Sequence, residues 1–184
     1  MVRLPPLDPA HLDPAQKIVY DRIASGARGG VGGPFSVLLH SAELASRVEQ
    51  LGVFIRYECS VPQRLRELAI LVVGAHWKAD YEWHAHARIA AAQGLSAEVI
   101  AAIGVGGEPN FEADADAVVF AFSRELLRDG RVSDATYAPA RELLGDTGCV
   151  ELTGLLGYYT LLALQLNTFQ VEPPAGGPAI PWKT

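Results

Sequence analysis

A chain of 184 residues, 49% of them hydrophobic, is long enough for one domain with a substantial core and too apolar for a disordered segment. Its net charge of −6, with 15 Lys and Arg scattered along it, argues against a nucleic-acid partner, which needs clustered cations. Cys59 and Cys149 show neither metal spacing nor a disulfide framework, so a reducing cytoplasm is expected, and no metal or cofactor site is read.

The N-terminal "MVRLPPLDPAHLDPAQ" has no apolar h-region, so no secretory leader is expected. In "DPAQKIVYDRIAS", Asp13 suits an N-cap, Pro14 the first helical position, and Ile18, Val19 and Ile23 one apolar side. "GARGGVGGPF" is glycine-rich but lacks the Gly-Lys-Ser/Thr ending of a phosphate loop and follows no strand, which predicts a flexible connector. A helix is predicted to open near Ser36 or Ser41 and run through "AELASRVEQLGVFIRYECS". "VPQRLRELAILVVGAHW" follows with Pro62 at its start; apolar almost all round, it belongs in a core or between subunits.

Asp80 is placed to cap the helix "YEWHAHARIAAAQ", which stops at Gly94. Ser96 and Glu98 start a short helix, "GVGGEPN" is a turn, and "DADAVVFAFSRELLRDG" is an amphipathic helix ending in glycine. "SDATYAPARELLG" and "CVELTGLLGYYTLLALQLNTF" predict two more helices. The second holds the longest apolar run, still short of the roughly 18 residues of a membrane span. "VEPPAGGPAIPWKT" is a proline-rich tail too broken for regular structure. No alternating strand pattern occurs, so the expectation is an all-α single domain over 1–184, with its core in 34–171 and a tail from 172 to 184.

Chemistry concentrates in "KADYEWHAHARIA". At about 100° per residue, Glu82 and His86 fall about 40° apart on a helix, whereas His84 falls about 200° from Glu82. A His-x-His metal site therefore loses its geometry. Glu82 one turn before His86 suits an oriented acid–base pair, although the same spacing also makes ordinary solvated ion pairs. The lone acid in "LRELAILVVGAHW", Glu67, tilts the balance: a carboxyl in so apolar a helix needs a partner or stays protonated. Arg64 or Arg66 would be its partner in a purely structural role.

The block "RLRELAILVVGAHWKADYEWHAHARIAAAQGLSAEVIAAI", Arg64 to Ile103, resembles the core of the carboxymuconolactone decarboxylase / alkylhydroperoxidase D superfamily. The flanks "GPFSVLLHSAELASRVEQLG" and "ELTGLLGYYTLLALQLNTF" resemble its extended members more loosely. The peroxidase branch carries Glu-x11-Cys-x2-Cys-x3-His. Counted from Glu67, the cysteine positions are Ala79 and Glu82 and the histidine is His86, so the spacing is kept and both redox thiols are missing. Disulfide-forming peroxidase chemistry is accordingly not expected. The decarboxylase branch carries Glu-x3-His, which Glu82 and His86 reproduce.

The resemblance implies an alkylhydroperoxidase D-like helical bundle forming a homo-oligomer, a trimer or hexamer with a dimer possible, and no membrane or nucleic-acid partner. It implies a cofactor-free, lyase-type decarboxylase or proton-transfer enzyme acting on a small carboxylated lactone or related aromatic-degradation intermediate. In that reading His86 donates the proton, Glu82 orients it, Glu67 is a second carboxyl in the pocket, and Tyr81 and Trp83 flank the pair in the substrate pocket, Trp83 packing in the core or forming a pocket wall. The alternatives are a redox-inactive small-molecule binder, or a hydrolase or isomerase using the same Glu–His pair. Arg56, Arg64, Arg66 and Arg88 are the candidates for holding a substrate carboxylate, with none singled out.

Overall fold

The computed structural model describes residues 2–26 and 29–183, and among these the regular structure is helical throughout. Helix α1, Pro14–Ser25, opens with a capping box: the Asp13 carboxylate accepts from the Gln16 amide at 2.8 Å while the Gln16 side chain accepts from the Asp13 amide. Val19 and Ile23, one turn apart, are buried, whereas Ile18 lies one position round the helix and faces solvent. Ala27 and Arg28 of the predicted connector lie outside the described residues.

The helix predicted to open near Ser36 or Ser41 is two helices: α2, Pro34–Leu38, and α3, Ala42–Val53, with Ser41 at the junction. A π-helical turn, Phe54–Glu58, continues α3 and ends with the Cys59 amide donating to the Phe54 carbonyl at 2.9 Å. Helix α4, Gln63–His76, is the centre of the molecule, packed by α5, α7 and α8, with every residue from Glu67 to Gly74 buried. Its apolar circumference is thus covered within one chain by neighbouring helices.

A tight turn with Lys78 at φ 49° returns the chain into α5, Asp80–Ala92. Asp80 is the first helical residue rather than the cap, and its carboxylate instead accepts from Trp182 Nε1 at 2.8 Å and pairs with Lys183. Helix α6, Ala97–Gly104, is capped by Ser96, which accepts from the Val99 amide, and α7, Asp114–Asp129, ends on left-handed Gly130.

Helix α8, Asp134–Phe169, is interrupted at Gly145, whose φ of 68° and ψ of 178° divide it where the sequence predicted two helices. By length and composition this element is apolar enough to cross a bilayer, contrary to the reading of its longest run. Half of its most apolar window is buried in the bundle, as a core helix requires. The proline-rich tail has one 3-10 turn, Pro181–Lys183, but is tightly seated. Trp83 Nε1 donates to the Ala179 carbonyl at 3.2 Å and Trp182 packs edge-on against the Trp83 ring.

Candidate active site

Two helices joined by the turn at Lys78 set the centre of the site. Glu67 comes from the middle of α4 and His86 from the facing side of α5, and Glu67 Oε2 lies 2.7 Å from His86 Nδ1. Both side chains are 7% exposed. When Glu67 is a carboxylate it can only accept, so Nδ1 then donates and Nε2 is the ring nitrogen left for other chemistry. The imidazole also stands edge-to-face on the Tyr159 ring of α8, with centroids 5.1 Å apart. Its orientation is fixed from two sides.

His86 lines a cavity of about 420 Å³, large enough for one small organic molecule. Tyr81, Glu82 and Ala85 share the α5 wall, Tyr159 and Leu162 come from α8, and Arg56 from the π-helical turn. The far wall is the glycine-rich segment from Gly29 to Gly32 with Pro34 and Phe35. Gly33 sits at φ 55° and ψ −129°, and a Cβ there would lie 2.7 Å from Tyr81 Cε1, so glycine is needed for both conformation and space. The predicted connector is therefore part of the site.

The roles of the two acids are the reverse of the sequence reading. Glu67, not Glu82, holds His86; Glu82 is buried on the cavity wall, where one helical turn separates it from His86 without a hydrogen bond between them. Tyr81 is on the wall as expected. Burial raises its pKa first and the Glu82 charge adds to this, keeping it a neutral phenol.

Trp83 does not line the cavity. It points about one residue's rotation away from Glu82 into the core beneath the tail, 2% exposed. His84 is on the opposite face from His86, buried under Gly177, whose Cβ would meet the ring at 2.4 Å. The two histidines cannot share a ligand.

Among the four candidate arginines the structure separates one. Arg64 is bound to Asp116 at 2.7 Å and to the Gln93 carbonyl, Arg66 reaches the Ile55 carbonyl, and Arg88 is exposed. Arg56 alone of the four lines the cavity. Tyr159 was not anticipated; the available signal was the adjacent pair Tyr158 and Tyr159 in the apolar stretch "LTGLLGYYTLLAL". Cys59 and Cys149 are buried elsewhere and neither lines the cavity.

The family profile of "Carboxymuconolactone decarboxylase family" matches residues 42–123, which include Arg56, Glu67, Tyr81, Glu82 and His86. This segment, a little under half of the chain, is thus similar to the carboxymuconolactone decarboxylase family. Tyr159 lies outside the matched segment. No curated protein matches the chain. Among solved structures, the fold is similar to the alkylhydroperoxidase AhpD core of an uncharacterized peroxidase-related protein from Ralstonia eutropha JMP134. That pair has 16% identity and a TM-score of 0.77, over 95% of this chain and 93% of the other. A second uncharacterized peroxidase-related protein, from Silicibacter sp. TM1040, has 15% identity and a TM-score of 0.71, over 94% of this chain and 93% of that one. A cysteine-to-alanine variant of the debrominase Bmp8, in complex with 2,3,4-tribromopyrrole, has 13% identity and a TM-score of 0.72, over 94% and 91% of the two chains. At these identities the likeness establishes the fold alone, an all-α bundle like the AhpD core.

Proposed function

We propose that the protein is a cofactor-free acid–base enzyme that decarboxylates, or moves a proton on, a small carboxylated lactone or related aromatic-degradation intermediate. The observation that carries this reading is the buried 2.7 Å contact of His86 Nδ1 with Glu67, behind the cavity wall that His86 lines. It leaves Nε2 as the proton-transferring atom and gives the imidazolium a fixed carboxylate to lean on, the arrangement general acid–base catalysis needs.

In the decarboxylation the bond to the departing carboxylate breaks, carbon dioxide leaves, and the electron pair stays on carbon as an enolate conjugated with the lactone carbonyl. Protonated His86 delivers its Nε2 proton to that carbon and is reprotonated from solvent. Glu67 is a positioning residue in this scheme, acting through His86. The similarity of residues 42–123 to the carboxymuconolactone decarboxylase family supports a decarboxylase-type reading. The absence of a thiol among the described cavity residues counts against carrying over the peroxidase chemistry named for two fold neighbours.

The test is a panel of carboxylated lactones assayed for carbon dioxide release and for deuterium uptake from heavy water. Wild type should turn over at least one compound with deuterium at the decarboxylated carbon, and His86→Gln should lose about 10²–10⁴-fold. Unchanged turnover in His86→Gln refutes the mechanism; binding without release or exchange across the panel makes the protein a binder instead. A homo-oligomer is part of the proposal, supported by exposed Leu51, Phe54, Tyr57 and Leu164. A monomer in sedimentation at micromolar concentration would remove that part.

A further inference from the structure

We propose that Arg56 and Tyr159 form an anion-binding end of the cavity, which seats one carboxylate of a small organic acid and keeps it through the reaction. The inference rests on the reading of this cavity as an acid–base site and names what the cavity selects.

The Tyr159 hydroxyl is the first ground. The residue is 1% exposed and lines the cavity, yet its oxygen has no hydrogen-bond partner among the described residues. Buried hydroxyls are ordinarily satisfied, because leaving one bare costs free energy that a ligand oxygen would return. Burial pushes its pKa well above 10, Glu82 and Glu67 adding to this and Arg56 opposing it. The phenol is therefore held in its protonated, hydrogen-donating form.

Arg56 is the second. Arg22, Arg64 and Arg141 each hold an acid at 2.6–2.9 Å, whereas Arg56 has no ion-pair partner among the described residues. Its guanidinium lies over the Tyr57 ring at 5.4 Å. Burial disfavours its charge, but the fields of Tyr159, Tyr57, Glu67 and Tyr158 outweigh that and raise its pKa. The cation is thus retained, half-buried, at a cavity wall.

The local backbone is the third. Arg56 sits in the middle of the π-helical turn, a form that is rare and recurs at functional sites because it re-aims side chains. A planar guanidinium fork matches the two oxygens of a carboxylate, and a phenol beside it can donate a third hydrogen bond. A carboxylate held this way is stabilised as an anion and is a poor candidate for loss as carbon dioxide. The bond that breaks must therefore be another one, presented to His86, and the Arg56 carboxylate serves as the handle.

The test needs no turnover. Binding of 3-fluorobenzoate is followed by fluorine NMR, with its methyl ester as the neutral control, in wild type and in Arg56→Met, Arg56→Lys, Tyr159→Phe and His86→Ala. Wild type should bind the acid at millimolar concentration or better and discriminate against the ester by at least about tenfold. Arg56→Met should lose that discrimination, Arg56→Lys should fall between the two, and Tyr159→Phe should weaken the acid several-fold. His86→Ala should still prefer the acid over the ester even with turnover lost, which separates failure of this inference from failure of the catalytic reading. Circular dichroism checks each variant's fold, and Arg56→Lys decides the matter if Arg56→Met does not fold. Equal binding of acid and ester, no binding of the acid, or wild-type binding by the foldable Arg56 variants overturns the proposal.

Discussion

Replacing Glu67 with alanine removes the hydrogen bond that fixes the His86 ring and leaves Nδ1 facing an apolar gap inside α4. Both side chains are 7% exposed and 2.7 Å apart, so solvent screens little of the interaction. A hydrogen bond to a charged group contributes about 1.5–3 kcal/mol, and truncating one member of a buried pair costs about 3–5 kcal/mol. The lower end applies where the histidine can stay neutral. At about 2–4 °C per kcal/mol for a chain of this size, Glu67→Ala should lower Tm by roughly 6–12 °C when it costs about 3 kcal/mol. The sharper measurement is a double-mutant cycle with His86→Ala, by urea unfolding at one protein concentration. Far-UV circular dichroism and tryptophan fluorescence together would check that the transition is two-state. The coupling energy should be about 1.5–3 kcal/mol. A coupling below about 0.5 kcal/mol would mean the pair is not bonded in solution, and the argument for an oriented imidazole would fail.

Gly33→Ala should cost about 1–3 kcal/mol, since alanine is disfavoured at its backbone angles and would collide with Tyr81; a melt within about 2 °C of wild type would refute this. Native protein should react slowly with iodoacetamide at neutral pH and show no thiol-dependent hydroperoxide reduction. Both cysteines are buried and Cys149 has its pKa raised, by burial first. Loss of peroxide turnover on replacing Cys59 or Cys149 would contradict that. Asp129 and Asp146 are held below their ordinary pKa chiefly by hydrogen bonds from Arg128 and Arg141. A depressed folded pKa stabilises the fold above the unfolded value and loses that contribution as pH falls through the folded one. Urea midpoints should therefore drop below about pH 4, less steeply in Asp129→Asn/Asp146→Asn; equal slopes would refute the assignment. Trp182→Ala removes the edge contact with Trp83 and the bond to Asp80 and should cost about 2–3 kcal/mol, read from the same unfolding curves.

Helix boundaries were legible wherever a cap was written locally. Asp13–Pro14, Ser96 and Gly130 each act within one turn of their own position, and each lies where the sequence put it. Asp80 was misplaced by one residue because a tail about a hundred positions away competes for its carboxylate. The site divides along the same line. Helical angles separated His84 from His86 and brought Glu82 near His86, and the family resemblance put Glu67 in the same pocket; which acid makes the bond depends on how α4 packs on α5. Trp83 went to the core for a related reason: its partner, the Ala179 carbonyl, is in a segment whose composition suggests no structure at all. Arg56 and Tyr159 meet only through the packing of the π-helical turn on α8, and neither carries a local motif.

The π-helical turn at Phe54–Glu58 makes the aim of Arg56 a matter of chain length as much as of residue identity. Its wide ring, closed by the Cys59 amide on the Phe54 carbonyl, accommodates one residue more than an α-helical turn. Removing a single residue there would let the segment tighten to α geometry and swing the guanidinium by about 100° round the helix axis, without altering any residue of the Glu67–His86 pair. A relative differing by one codon at this point could keep the proton-transfer machinery and present it with a neutral cavity end. Substrate charge preference and chemistry would then be separately inherited, the first by insertions and deletions and the second by substitutions.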